Sequence, residues 1–465
     1  MVQKSQEKIE HGFLEAKASL PHTFVDAPFR KIAKPMTTSA PSASISRDAA
    51  PINPGRSSRI TSIDALRGFV MFTMIFVNEI AGVSNDIVPA WMKHYHGKSG
   101  MTFVDLVFPA FLFIVGTSIP FALGSRLDKG EPIWKTLSHV ALRAASLLFI
   151  GILMVNETPD STKMGWSGAL WCTLMYLAVI CAFCTISPPI KTVPPNKDQG
   201  FPMISLGVRV LGLAALMYLA LAYRGADGHR IISLSPFSIH TEWYGILGLL
   251  GWAYLVGSVV FLIFRNNRIG LLACVVLLMC LYPADRNHAF DHFWLARYVG
   301  IGETLGSQAA ITVAGILLAT VLITPETATV RSRTRFALLF IAGCAACALL
   351  LDGLYGINKN NATPSWCLWA CAITAALWLI LYFVSDVHPI GFAARPLAIA
   401  GQNVLLAYLI SEMLPSALDL FRLSPWYGGL AEHGLISAVA RSAGCGVMIL
   451  CVTVVLNRVG FRLKL

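Results

Sequence analysis

The feature that most constrains this chain is a series of long apolar stretches that begins at Leu66 and recurs almost to the C-terminus. About 20 residues in a helix are needed to cross the hydrocarbon core of a bilayer. In that core every backbone polar group must be satisfied within the protein, so the spans are expected to be helices. The predicted fold class is therefore all-α, a polytopic integral membrane protein of about 11–12 transmembrane helices. The candidate spans are 66–83, 103–124, 137–155, 167–187, 203–222, 243–264, 269–283, 306–323, 336–353, 366–385, 396–413 and 434–457. The run 269–283 is short, so a tilted or a re-entrant segment stays open as an interpretation there.

Composition agrees with a membrane protein. Apolar residues make up 55% of the chain and charged residues only 13%, against about 25% charged residues in an ordinary soluble domain. The formal net charge of +11 is explained by basic loops that face anionic lipid. We therefore expect the lipid bilayer, and no nucleic acid, as the partner of these charges.

The basic residues also predict an orientation. With the N-terminus in the cytoplasm, the inner loops hold 14 Lys and Arg residues and the outer loops hold nine, and nine more lie at or before Arg59. Cytoplasmic loops carry such an excess, so both termini are predicted to be cytoplasmic. Residues 1–58 are rich in Ser, Ala, Pro and charge, which predicts a disordered cytoplasmic tail before a transmembrane domain at 59–465.

The eleven cysteines all lie inside predicted spans. Cys181 and Cys184 form a C-x-x-C pair, as do Cys344 and Cys347, but both pairs are on apolar helices without a nearby histidine. Packing as small apolar side chains explains them better than redox or metal chemistry. No metal site is predicted.

A cluster of polar residues lies in and beside the loop at 84–100. His94 and His96 lie in this loop, while Asn78, Glu79 and Asp105 lie where the first two spans meet it. Ionisable groups at such places are functional hypotheses by default. An imidazole with a pKa of about 6.5 can accept a proton at neutral pH, and a carboxylate can fix its tautomer. The structural alternative is a helix–helix hydrogen bond from Asn78, an N-cap at Asp105 and histidines in water.

Three blocks of sequence carry a resemblance. The first comprises S-I-D-A-L-R-G-F at 62–69, F-V-N at 76–78 and G-M-T-F-V-D-L-V-F-P-A-F-L-F-I-V-G-T-S-I at 100–119. The second comprises G-I-N-K-N at 356–360, T-P-S-W at 363–366 and P-L-A-I-A-G-Q-N-V-L-L-A-Y-L at 396–409. The third, L-G-S-Q-A-A-I at 305–311, is a looser match. Together they resemble the heparan-α-glucosaminide N-acetyltransferase family.

The resemblance implies a transmembrane acetyltransferase. It would move an acetyl group from cytosolic acetyl-CoA, as co-substrate, to the amine of a glucosamine-type amino sugar on the far side of a membrane, here expected to be a bacterial inner membrane. The family's asparagine corresponds to Asn78 and its active histidine to His94 or His96, with Asp105 beside them. For the acceptor the expected residues are Glu79, Asn358, Lys359 and Asn403; for the phosphates of acetyl-CoA they are Arg67, Arg126 and Arg143, with Arg67 and Arg143 expected at inner helix ends. Homodimer formation is left open.

The chain also departs from the family pattern. Gly302-Glu303-Thr304-Leu305-Gly306 stands where an Asp-Pro-Glu-Gly element is usual, and G-A-L-W-C at 168–172 stands where G-V-L-Q-R is typical. We interpret the chain as a divergent member. Two other functions stay open at this point. One is a transporter or flippase for a sugar or lipid-linked sugar. The other is another kind of membrane O-acyltransferase, because a D-x-L-R-G motif also precedes the first span in membrane O-acyltransferases.

Overall fold

The structure is a computed structural model that describes residues 60–186, 200–235, 237–239, 244–324, 327, 329–388 and 391–463. The tail predicted at 1–58 lies outside these residues. In the described part of the chain, twelve α-helices have 15 residues or more. In chain order they are α1 Thr61–Ala81, α2 Val107–Asp128, α3 Ile133–Val155, α4 Gly168–Phe183, α5 Gly200–Ala222, α6 Gly245–Phe264, α7 Arg268–Arg286, α8 Ala309–Ile323, α9 Val330–Tyr355, α10 Pro364–Tyr382, α11 Val404–Leu420 and α12 Leu435–Arg458.

The all-α polytopic fold is confirmed. Ten helical segments in the described residues are long and apolar enough to cross a membrane. The two other predicted spans correspond to α1, with 21 residues, and α4, with 16. The predicted span at 269–283 is α7, which has 19 residues and is long enough to cross.

Shorter elements complete the helices. A π-helical segment, Ile301–Gln308, leads into α8, and another, Phe383–Val387, follows α10. Helix Gly391–Ala400 and a 3₁₀ turn at Gly401–Asn403 lead into α11. Two short antiparallel strand pairs are described: β1 Cys184–Ile186 with β4 Phe461–Leu463, and β2 Ile232–Leu234 with β3 Phe237–Ile239.

Small residues allow the central helices to approach closely. At Gly116 of α2, an added Cβ would lie 2.0 Å from the carbonyl oxygen of Thr312 on α8, and at Gly315 of α8 it would lie 2.2 Å from the carbonyl oxygen of Phe113. Small residues at crossings are typical of membrane helices, where van der Waals contact drives association. The α2–α8 pair therefore forms a closely packed centre of the bundle.

Loop contacts show which connections share a face. The loop after α1 meets the loop after α9 through a hydrogen bond from the Gly100 amide to the Ile357 carbonyl, at 2.8 Å. On the opposite face, β4 follows α12 and pairs with β1, which follows α4. The loops at 82–106 and 356–363, which carry the candidate catalytic residues, thus lie together at one face of the bundle.

Candidate active site

Asp105 is the anchor of the site. Thr102 is the N-cap of the 3₁₀ turn Phe103–Leu106, and Asp105 completes a capping box with it. The carboxylate Oδ2 accepts hydrogen bonds from the backbone amides of Tyr95 (3.1 Å) and Thr102 (3.0 Å) and from the Thr102 hydroxyl (3.3 Å). The side chain is only 2% exposed. These bonds turn the other carboxylate oxygen, Oδ1, toward the loop that precedes the turn.

Oδ1 contacts an imidazole and an ammonium group. The Nδ1 atom of His94 lies 2.8 Å from it, and the Nζ atom of Lys359 lies 3.4 Å from it. Lys359 Nζ is also 2.9 Å from His94 Nδ1. The His94 side chain is 38% exposed and that of Lys359 is 32% exposed. The three groups therefore form a partly open triad that holds the His94 ring by one nitrogen.

The loop at 356–363 positions Lys359 from the far end of the sequence. Its amide at Ile357 donates to the Ser99 hydroxyl at 2.9 Å, which fastens it to the His94 loop. Inside the loop, the Asn358 amide donates to the Thr363 hydroxyl at 3.0 Å, and the Asn358 side-chain oxygen accepts from the Asn361 amide at 3.1 Å. Asn358 thus shapes the loop that carries Lys359.

This arrangement can perform proton transfer. A carboxylate at Nδ1 orients an imidazole and fixes its tautomer, so that Nε2 can act as a base. Among the described residues, both polar contacts of the His94 ring are made at Nδ1 and none at Nε2. His96 is exposed two positions along the loop. The geometry therefore favours His94 over His96 as the candidate base.

Asn78 and Glu79 make a separate polar group. The Asn78 amide donates to Glu412 Oε1 on α11 at 3.0 Å. Glu79 accepts from the Tyr427 hydroxyl at 2.7 Å and lies 3.7 Å from the Arg441 guanidinium. These bonds join the end of α1 to α11, α12 and the short helix Ser424–Gly429. In the described part of the chain, no hydrogen bond or ion pair connects this group with His94.

Asn403 lies at the opposite end of the bundle. Its side chain bonds the backbone of Phe461 and Leu463 in β4, both at 3.3 Å. The neighbouring Gly401 packs against the Asp64 carbonyl at the start of α1, whereas His94 follows the end of that helix. A 21-residue helix is about 30 Å long. The structure therefore does not bring Asn403 to the site proposed from the sequence.

The three arginines expected to bind acetyl-CoA lie apart. Arg67 donates to Asp64 at 2.6 Å and to the Ser118 hydroxyl, within the first turns of α1. Arg126 lies in the last turn of α2 and contacts Glu131, which follows the helix, at 3.3 Å. Arg143 lies near the middle of α3, where its guanidinium is 4.8 Å from the ring centre of Tyr254, and not at an inner helix end as the sequence suggested.

Sequence reasoning missed Glu412 as the partner of Asn78. The available signal was an acidic residue inside the apolar run that forms α11. Such a residue indicates a polar contact within the bundle, but its spacing from Asn78 does not reveal the pairing. The pairing follows from the packing of α11 against α1, which the structure supplies.

Comparisons with known proteins agree with the sequence motifs. A family model described as a domain of unknown function, DUF5009, matches residues 59–284. Heparan-alpha-glucosaminide N-acetyltransferase of Homo sapiens is 34% identical over 108 residues, which are 23% of this chain and 15% of the human protein. The Mus musculus protein of the same name is 33% identical over 108 residues, 23% of this chain and 16% of the mouse protein. The resemblance to this family is confirmed. The match spans only about a sixth of the length of these relatives.

Proposed function

We propose that this protein is a membrane acetyltransferase that uses acetyl-CoA to acetylate the amine of a glucosamine-type sugar. The observation that carries the proposal is the His94–Asp105–Lys359 triad, with Nδ1 of His94 anchored at 2.8 Å and Nε2 open. The partial similarity to heparan-alpha-glucosaminide N-acetyltransferases supports the reaction class. The identity of the acceptor, a glucosamine-type sugar, and that of the donor, acetyl-CoA, are parts of this proposal.

In the direct route, Nε2 of His94 removes a proton from the sugar ammonium. The neutral amine attacks the thioester carbonyl carbon, so a C–N bond forms and the C–S bond breaks. The attacking nitrogen loses a second proton as the amide forms, and the CoA thiolate takes it. The imidazolium releases its own proton to solvent, which returns His94 to its neutral form. Asp105 stabilises the transient imidazolium through Nδ1–H, as an orienting carboxylate does in other acyl-transfer sites.

In a two-step route, Nε2 of His94 first accepts the acetyl group and releases CoA. The sugar amine then attacks the acetyl-imidazole, and the C–N bond to the imidazole breaks. Of the two protons that the sugar ammonium loses, one passes to the CoA thiolate and one to solvent. Both routes need the same anchored ring. Asn78 lies in the first helix, and its amide has a second N–H besides the one that donates to Glu412. We propose that this second N–H donates to an acyl oxygen of the substrate.

The donor and the acceptor are proposed to reach the site from opposite faces, with both termini in the cytoplasm. The triad lies at the face of the 82–106 and 356–363 loops, which would be extracytoplasmic. Arg67 lies at the other end of α1 and Arg126 toward the other end of α2, so these two retain a proposed role toward the phosphates of acetyl-CoA.

The test is transfer of a labelled acetyl group from acetyl-CoA to glucosamine by the purified protein. His94→Ala should lower turnover about 100-fold or more, since general acid–base catalysis contributes about 10²–10⁴-fold. His96→Ala is the matched control and should retain turnover. Size-exclusion profiles of both variants establish that the bundle is intact. Wild-type turnover in both histidine variants would rule out the proposed site.

A further inference from the structure

An apolar groove of about 450 Å³ lies between α4 and α5. Its lining includes four large side chains that are between 40% and 71% exposed, namely Leu174, Leu177, Leu211 and Tyr218. Another face of α4, which carries Trp171 and Met175, is fully buried. The groove therefore opens away from the core of the bundle. Because α5 is long and apolar enough to cross a membrane, this opening is toward the acyl chains of the lipid.

The groove has the length of an acyl chain. Its lining residues extend along α4 from Cys181 past Leu174 to Trp166, just before the helix begins. At 1.5 Å per residue this is about 20 Å. The hydrocarbon core of a bilayer is about 30 Å thick, so one leaflet contributes about 15 Å. The groove is therefore long enough for one acyl chain of one leaflet.

A cation lies at the Cys181 end of the groove. Arg209 is the one charged residue of the predicted span 203–222, and it is exposed. Its Nε atom donates to the carbonyl of Ala182, in the last turn of α4, at 3.3 Å. One residue further on, α4 ends at Phe183 and the chain continues into β1. The guanidinium therefore lies at the depth at which α4 ends.

The guanidinium has donors to spare. It carries five N–H groups, and in the described part of the chain the bond to Ala182 uses the Nε–H while both Nη atoms make no hydrogen bond. The strands beside this end of α4, β1 and β4, contribute a further cation, Arg462, and no carboxylate. A charge on a membrane span is costly unless a partner satisfies it. Arginine commonly binds phosphate through two parallel N–H bonds.

We propose that Arg209 and this groove bind one anionic phospholipid of the leaflet at the β1–β4 face. The phosphate accepts from the Nη groups of Arg209, and one acyl chain lies between α4 and α5. The bond to Ala182 keeps the cation at the end of the groove, where a headgroup meets its chain. The triad of His94 lies at the opposite face of the bundle, so this site does not depend on acetyl transfer.

Native mass spectrometry of the full-length protein in detergent measures the binding of single lipid molecules. The purified protein is titrated with dioleoylphosphatidylglycerol, which is anionic, and with dioleoylphosphatidylcholine, which has the same acyl chains and no net charge. Wild type should bind the phosphatidylglycerol more tightly. Arg209→Gln should weaken this binding about 10-fold or more, which corresponds to the loss of one hydrogen bond between charged groups.

Two matched controls separate the headgroup from the chain. Arg331→Gln removes an exposed arginine from the first turn of α9, at the same face, and should bind both lipids as wild type does. Ala215→Phe fills the groove while Arg209 remains, and it should weaken the binding of phosphatidylglycerol. Leu213→Phe adds the same ring to an exposed position of α5 that does not line the groove, and it should have no effect.

The outcomes decide between occupants. Equal affinity of wild type for the two lipids, or unchanged binding in Arg209→Gln, would overturn the proposal, since Arg209 would then only cap the end of α4. An equal loss in Arg331→Gln would show a general attraction to the basic face and would also overturn it. So would wild-type binding in Ala215→Phe, because the chain would then lie outside the groove. If Arg209→Gln does not yield folded protein, the two lipids on wild type and the two phenylalanine variants still decide.

Two further results would identify a different occupant and overturn the proposal. Displacement of the lipid by an equal concentration of inorganic phosphate would show a site for a free anion. A dimer of the chain that carries no lipid and is lost in Ala215→Phe would show that a second copy fills the groove.

Discussion

Replacing Asp105 with asparagine tests the anchor of the triad while preserving the size of the side chain. The carboxylate is 2% exposed and accepts from three donors at Oδ2, while Oδ1 faces His94 and Lys359. Asparagine must place an NH₂ group at one of these two oxygen positions. That NH₂ then faces either backbone amides or the ammonium, so at least two favourable bonds are lost.

Hydrogen bonds to a charged group contribute about 1.5–3 kcal/mol each. The loss of two of them predicts that Asp105→Asn lowers the free energy of unfolding by about 3–6 kcal/mol. In either orientation of the amide, the His94 ring no longer faces a charged carboxylate at Nδ1, so turnover should fall by about 100-fold or more. The assays are denaturant titration in mixed detergent micelles and acetyl transfer from acetyl-CoA to glucosamine.

Asp86→Asn is the matched control, because Asp86 is exposed in the same loop and its carboxylate accepts from the Ser84 hydroxyl at 3.4 Å. It should change neither quantity measurably. A stable Asp105→Asn protein with wild-type turnover would refute the reasoning, since it would show that the buried carboxylate neither stabilises the loop nor orients the ring.

Three further results are expected. Gly116→Ala should destabilise the bundle by about 1–3 kcal/mol through overpacking, since the new Cβ would lie 2.0 Å from a carbonyl oxygen of α8. Gly343→Ala, with open space around the new Cβ, should not destabilise it, and equal thermal stability of the two variants would contradict the close packing of α2 on α8. A double-mutant cycle of Asn78→Ala and Glu412→Ala should give a coupling energy of about 0.6 kcal/mol, the average for hydrogen bonds between membrane helices; additive effects would contradict the bond. Hydrogen bonds from the side chain and the backbone of His229 lower the pKa of Asp227 to about 2. The contribution of Asp227 to the stability of the folded protein is therefore complete above the ordinary pKa of 3.8 and is lost as the pH falls toward 2. Asp227→Asn should remove this part of the acid dependence of thermal unfolding, and an unchanged dependence would exclude it.

The helices were predictable from the sequence because apolar length decides membrane crossing. Even the short run at 269–283 proved to be part of the 19-residue α7, since polar residues at its ends, such as Arg268 and Arg286, extend the helix beyond its apolar part. The segment at 167–187 is shorter than expected, because α4 ends at Phe183 and the chain continues into β1. Pairing of β1 with the C-terminal β4 is a long-range contact that no local pattern reveals.

The candidate site was predictable only in part. The proximity of His94 and Asp105 follows from a short loop between consecutive helices, which sequence spacing can suggest. Lys359 was expected near the site from a family motif, but its bond to the same ring nitrogen depends on how the loop after α9 docks on Ser99 and Gly100. Asn403 was expected at the site as well, yet it lies at the other end of α1. The resemblance of a motif does not show at which end of the bundle its residues lie.

The most direct test of the central claim is group transfer across a sealed membrane. Purified protein is reconstituted into liposomes with labelled acetyl-CoA enclosed and glucosamine outside, and acetylglucosamine is measured in the external solution. The account predicts external product from wild type and about 100-fold less from His94→Ala. The measurement is repeated with acetyl-CoA outside and glucosamine enclosed. If wild type forms no acetylglucosamine in either arrangement, acetyl transfer across the membrane is contradicted.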